Sequence, residues 1–130
     1  MHDRQLIMLV DDDQDIQRLL DHTLKLEGFD TIIVSDGDSA LRLLQNIKPD
    51  IVILDEMTPG NDNLRVIDRI REQSDVPIIV LAREYEVEAL RQALSRGADD
   101  YIRKPISMKS FVARVRAKLR RTEKKRTLVH

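Results

Sequence analysis

Residues 50–56 read Asp50-Ile51-Val52-Ile53-Leu54-Asp55-Glu56. Four consecutive apolar residues, three of them β-branched, suit a strand covered on both faces. Comparable runs stand at Leu6–Val10, Thr31–Val34 and Ile78–Leu81, with a weaker one at Asp100–Ile102. Between them lie segments whose apolar residues recur at helical spacing: Ile16, Leu19, Leu20, Thr23 and Leu24; Ala40, Leu43, Leu44 and Ile47; Leu64, Ile67 and Ile70; Val87, Leu90, Ala93 and Leu94; and Met108, Phe111, Val112, Val115 and Leu119. Asp36 or Asp38 and Ser107 suit helix N-caps, while Gly28, Pro49 and Gly97 stand where helices should stop.

Five alternating strand and helix units in 130 residues make one α/β domain. Right-handed crossovers leave few assemblies, and the reading is (βα)5: a doubly wound, flavodoxin-like parallel five-stranded sheet of strand order 2-1-3-4-5. Ligands of such sheets bind beyond the carboxyl ends of the strands, near the switch point between the first and third.

Composition narrows the chemistry. There is no Cys, which excludes disulfides, thiolate metal sites and cysteine nucleophiles. No apolar stretch approaches a membrane span and Met1–Gln5 is too short for a secretory signal, so the expected location is the cytoplasm, with no membrane partner. The net charge of -1 hides an asymmetry. Of 22 Lys and Arg, eight lie from Arg114 to His130 beside a single acid, Glu123, a local charge of +7 that leaves -8 on the remainder. Such a tail suits a solvated linker, a helix end whose cations complement the dipole, or a contact with DNA phosphates.

At the predicted strand ends stand Asp11, Asp12 and Asp13 after the first, Asp55 and Glu56 after the third, Ala82 after the fourth and Lys104 past the fifth. Carboxylates about 4 Å apart repel by roughly 4 kcal/mol at an effective dielectric near 20, so clustering Asp11, Asp12 and Asp55 calls for a cation. Mg²⁺, a hard ion that keeps waters and phosphate oxygens in its shell, fits this donor set. It would screen Asp55 as that carboxylate attacks phosphorus, with Lys104 offering positive charge to the phosphoryl oxygens. Taken singly, Asp11–Asp13 could be a helix cap, Asp55 a loop residue and Lys104 an exposed lysine; their convergence favours phosphoryl transfer to a carboxylate.

The blocks LIMLVDDD, PDIVILDEMTPG, VPIIVL and GADDYIRKPIS carry a family resemblance, and their spacing needs no gaps to match it. From Leu6 to Arg121 the chain resembles the receiver domain of two-component response regulators, most closely the receivers of winged-helix (OmpR/PhoB-type) DNA-binding regulators. The resemblance implies that Asp55 is the phosphoacceptor, Asp11 and Asp12 the acidic metal pair, Met57 the donor of a backbone carbonyl to Mg²⁺ and Lys104 the phosphate contact. It implies a cis Lys104-Pro105 bond and makes Tyr101 the switch aromatic. It further implies a partner histidine kinase as phosphoryl donor and a homodimer through the fourth helix, fifth strand and fifth helix, with Asp99, Asp100, Arg114 and Arg121 on that face. The expected organisation is a receiver domain over residues 1–121 and a basic linker or tail over 122–130, leading to a DNA-binding domain beyond His130. Such a domain is not an enzyme in the ordinary sense, since it catalyses only its own phosphorylation and dephosphorylation.

Several positions depart from the family pattern. Ala82 stands where the family has Thr or Ser, removing a hydroxyl that would donate to the phosphoryl group and couple it to Tyr101. Arg83 could reach the phosphoryl oxygens or crowd the entrance, Glu56 adds a charge beside the acceptor, and Asn63 replaces a usual Gly. Met57 and Glu84 match positions that tune the phosphorylated lifetime. Leu90 and Ser110 replace a cross-dimer ion pair. The alternative reading is therefore a phosphate-independent interaction or dimerisation module. A hydrolase of the aspartyl-phosphate kind would want a second Asp at Met57, and neither G-x-G-x-x-G nor G-x-x-x-x-G-K-[ST] occurs. The three histidines, His2, His22 and His130, form no catalytic constellation.

Overall fold

The computed structural model describes residues 4–56, 63–83, 86–104 and 107–129, the side chains of Asn63 and of 122–129 excepted. The elements run β1 (Leu6–Val10), α1 (Gln14–Leu26), β2 (Asp30–Val34), α2 (Gly37–Leu44), β3 (Ile51–Asp55), α3 (Asn63–Gln73), β4 (Ile78–Ala82), α4 (Val87–Ser95), β5 (Asp100–Arg103) and α5 (Met108–Val129). The five strands pair in parallel in the order β2-β1-β3-β4-β5, as the sequence pattern predicts.

Because strand side chains alternate, the sheet divides its apolar residues between two cores. Met8, Val10, Val52, Leu54, Val80, Ala82 and Tyr101 pack on one face with Ala40 of α2, Val66, Ile67 and Ile70 of α3 and Ala93 of α4. Ile7, Leu9, Ile53, Leu81 and Ile102 pack on the other with Leu20 and Leu24 of α1 and Phe111, Val112, Val115 and Leu119 of α5. The continuous apolar runs of the strands are the consequence: both faces are dry.

Backbone pairing carries β3 and β4 one residue further than their apolar runs. Asp55 pairs with Leu81 and Ala82 with Arg103, so both lie within strands and not just beyond them. The ladder depends on main-chain groups alone, and a polar side chain at a strand's last position does not interrupt it.

The caps resolve the open choices. Asp13 accepts from the amides of Asp15 and Ile16 at 2.9 and 3.3 Å and caps α1, leaving Asp11 and Asp12 for another role. Asp36, not Asp38, caps α2 by accepting from the Ser39 amide at 2.7 Å and its hydroxyl at 3.0 Å. These bonds, the amide first, hold the Asp36 carboxyl below its usual pKa. A depressed carboxylate pKa gives stability that is present above the unfolded value near 3.9 and is lost as pH falls through the folded one. Thermal melts of Asp36→Ala should accordingly run below those of the parent at pH 5–7, with the gap closing below about pH 4.

Helix α2 ends at Leu44, leaving Ile47 outside it and Pro49 well beyond it. Helix α4 is lightly held: Ala93 is its buried residue, Val87 is 62% and Leu94 43% exposed, and Glu86 caps it without a side-chain bond. Its other end is pinned. Gly97 takes φ +116, and the Arg71 guanidinium donates to the Gly97 carbonyl at 2.7 and 3.1 Å, to the Val76 carbonyl at 2.6 Å and to Asp99 at 3.0 Å. The backbone of 122–129, expected as a tail, continues α5. No helix among the described residues is long and apolar enough to cross a membrane.

Candidate functional site

The loop after β1 turns on Asp11, whose amide donates to the Val34 carbonyl at 3.0 Å. Its Oδ1 accepts from the Asp13 amide at 2.9 Å, and its carbonyl accepts from the Gln17 side chain. Both bonds fix Asp11 inward, at 2% exposure, while Asp12 stays exposed. Asp55, 3% exposed, ends the neighbouring strand. One carboxylate oxygen each from Asp11, Asp12 and Asp55 lie within 4.8 Å of one another.

Lys104 completes the group. Its amide donates to the Ala82 carbonyl at 2.7 Å, carrying the β4–β5 pairing past Arg103. From that anchor its Nζ lies 2.5 Å from Asp55 and 3.8 Å from Asp11. Among the described residues, the pairing sets the Lys104 ammonium against three carboxylates, Asp11, Asp12 and Asp55. Burial, the foremost influence, pushes the Asp11 carboxyl above its ordinary pKa, and the charge of Asp55 adds to this; the Asp13 amide and Lys104 oppose it. The Oδ2 atom of Asp11 is buried and accepts no hydrogen bond.

A buried carboxylate oxygen without a donor, facing two further carboxylates, is what an all-oxygen divalent-cation site offers before it is filled. The donor set fits Mg²⁺, with Asp11, Asp12 and Asp55 as the side chains that would hold it. Met57 lies outside the described residues, as do Glu84 and the Lys104-Pro105 bond.

Around this cluster, Ala82 is fully buried and Arg83 exposed. Tyr101 is turned inward, 7% exposed, and its hydroxyl donates to Glu56 Oε1 at 3.0 Å. Of the four residues expected on a dimer face, Asp99, Asp100 and Arg114 pair within the chain. Asp100 lies 3.7 Å from Arg114, and Asp99 accepts from Arg71 at 3.0 Å and from the Ile78 amide at 2.8 Å. Arg121 is exposed. Sequence reading missed Arg71 and the Glu56–Tyr101 bond. Arg71 carries no motif, whereas Glu56 gave a partial signal as a charge beside the acceptor position.

The family described as the response regulator receiver domain matches residues 7–116. The chain is 43% identical over 120 residues to the DNA-binding response regulator MtrA of Mycolicibacterium smegmatis, covering 92% of this chain and 53% of that protein. It thus spans about half the length of the curated relatives it matches. Among solved structures, the receiver domain of the Francisella response regulator 1452 superposes with a TM-score of 0.86 at 29% identity, covering 92% of this chain and 99% of that one. NtrX from Brucella abortus superposes with a TM-score of 0.91 at 30% identity, over 98% of this chain and 29% of that one. With its five parallel strands, its converging carboxylates and lysine, and a family match across most of its length, the chain belongs to the response regulator receiver domains.

Proposed function

We propose that this domain is a phosphorylation-dependent switch in which Asp55 accepts a phosphoryl group from a partner histidine kinase. The observation that carries the reading is Lys104, whose Nζ lies 2.5 Å from Asp55 and 3.8 Å from Asp11 at a site where Asp11 Oδ2 is buried without a donor. An Asp55 carboxylate oxygen forms the new bond to phosphorus as the bond to the donor imidazole nitrogen breaks, and the electron pair departs with that nitrogen. Lys104 meets the charge of the phosphoryl oxygens, and burial keeps bulk water from Asp55. Bound by Asp11, Asp12 and Asp55, Mg²⁺ would supply the positive charge that the three carboxylates and the incoming phosphoryl group lack. The domain then catalyses only its own phosphorylation and dephosphorylation.

The relatives' description as DNA-binding regulators supports transcription as the output, through a DNA-binding domain C-terminal to this chain, with the switch acting on a homodimer. The cytoplasm is the compartment this partnership requires. A second reading, an interaction or dimerisation module that signals without phosphate, is favoured by Ala82, which offers no hydroxyl, together with the inward Tyr101.

Intact-protein mass spectrometry separates the two. Incubation with Mg²⁺ and acetyl phosphate should add one phosphoryl group, and excess EDTA should suppress it. Absence of any adduct with both acetyl phosphate and a kinase, while Mg²⁺ binding is demonstrated separately, would leave the second reading standing.

A further inference from the structure

On the sheet face that carries α2, α3 and α4, residue 82 lies between two others that the sequence does not connect. The Glu56 amide donates to the Leu81 carbonyl at 2.8 Å, so the chain continues the line of β3 for one residue past Asp55. Alternation then puts Glu56 on the same face as Leu54, with Ala82 and Tyr101. In register, Asp55 faces Leu81, Ala82 faces Arg103, and Tyr101 faces Val80. The β3 and β5 lines are two strand spacings apart, roughly 9–10 Å. Tyr101 also stands two residues back from the level of Glu56 and Ala82, and a glutamate and a tyrosine can bridge that diagonal only if the side chain it passes, at residue 82, is short. Ala82 is, and the phenol meets Glu56 Oε1 at 3.0 Å.

We infer that Glu56 is the positioning residue for Tyr101: its carboxylate, reached across Ala82, ties the buried ring to the backbone step that carries Asp55. The bond does the work left undone by the hydroxyl missing at residue 82, from the other side. Tyr101 is buried and bonded to Glu56, and Asp55 on the same strand line is paired with Lys104. Once Asp55 is loaded, as the proposed function requires, Glu56 is the side chain one peptide away from the added charge. Its bond to Tyr101 is then the link through which β5 registers the change.

The two tyrosines, Tyr85 and Tyr101, make the test direct. The full chain is labelled with 3-fluorotyrosine, and the Tyr101 ¹⁹F signal is assigned by Tyr85→Phe. In unmodified samples, Glu56→Ala should move this signal towards that of free fluorotyrosine. Glu56→Gln, whose amide oxygen still accepts, should leave it near the parent position. Ala82→Thr, which places a branched side chain in the path, should move it as Glu56→Ala does. A signal unmoved in Glu56→Ala overturns the inference, as does one that moves equally far in Glu56→Gln. Should Glu56→Ala not fold, Glu56→Ser removes the same reach.

Mg²⁺ and acetyl phosphate are then added and each sample is weighed. With the adduct present, the Tyr101 signal should shift in the parent and not in Glu56→Ala; equal shifts overturn the link. A parent that takes no adduct from acetyl phosphate and none from a kinase fails the phosphoacceptor reading, and the comparison of unmodified samples still decides the positioning role.

Discussion

Replacing Asp55 by Asn is expected to abolish phosphoryl incorporation from acetyl phosphate and Mg²⁺ while leaving the fold in place. A carboxamide oxygen is a poor nucleophile at neutral pH, and attack on phosphorus needs the full negative charge. Neither neighbouring carboxylate substitutes. Asp11 spends one oxygen on the Asp13 amide, and Asp12 is exposed. The adduct should therefore fall at least 100-fold, to background, in intact-mass spectra. Stability should change little in the metal-free protein because two terms oppose each other. Lys104 loses a partner at 2.5 Å but keeps Asp11 at 3.8 Å, and Asp11 loses the repulsion of Asp55. Stabilisation by added Mg²⁺ should shrink with the loss of one anionic ligand. An Asp55→Asn protein that still gains the phosphoryl mass would place the acceptor on another residue.

Truncating Phe111 to Ala should cost about 3–5 kcal/mol, the usual range for a fully buried aromatic side chain. Phe111 is 0% exposed and lies in the core that joins α5 to α1 and to the sheet, with Leu20, Leu24, Ile53, Leu81 and Ile102. These neighbours come from separate elements held by their own hydrogen bonds, so they cannot collapse into the space, and a cavity remains. Against a typical domain stability of about 5–15 kcal/mol, the loss is large. Chemical denaturation should show the midpoint shifted down with the slope unchanged. A loss under about 1 kcal/mol would mean that α5 does not dock as described.

How far the sequence discloses this molecule depends on the range of the interaction. Strands announced themselves through runs such as Ile51–Leu54, because being covered on both faces demands apolar residues at successive positions. The convergence of Asp11, Asp55 and Lys104 was legible too, since parallel order brings the carboxyl ends of β1, β3 and β5 to one edge. The choice between Asp36 and Asp38 was not, because it turns on which aspartate's backbone is extended. Nor was the Glu56–Tyr101 bond, which needs the register of two strand pairs and the size of the residue between them. Arg71 escaped for a related reason: its acceptors at Gly97 and Val76 are backbone carbonyls, which leave no mark in a sequence.

The unequal ends of α4 govern how it comes apart. With no side-chain cap at Glu86 and Val87 turned to solvent, the first turn rests on the half-buried Ala89 and Leu90, whereas the Gly97 end is gripped by Arg71. Amide protons near Val87 should exchange with deuterated water through local fraying, well before those of the strands. The Gly97 end is the anchored one, and the end expected to open is the one nearest in sequence to Ala82 and Arg83.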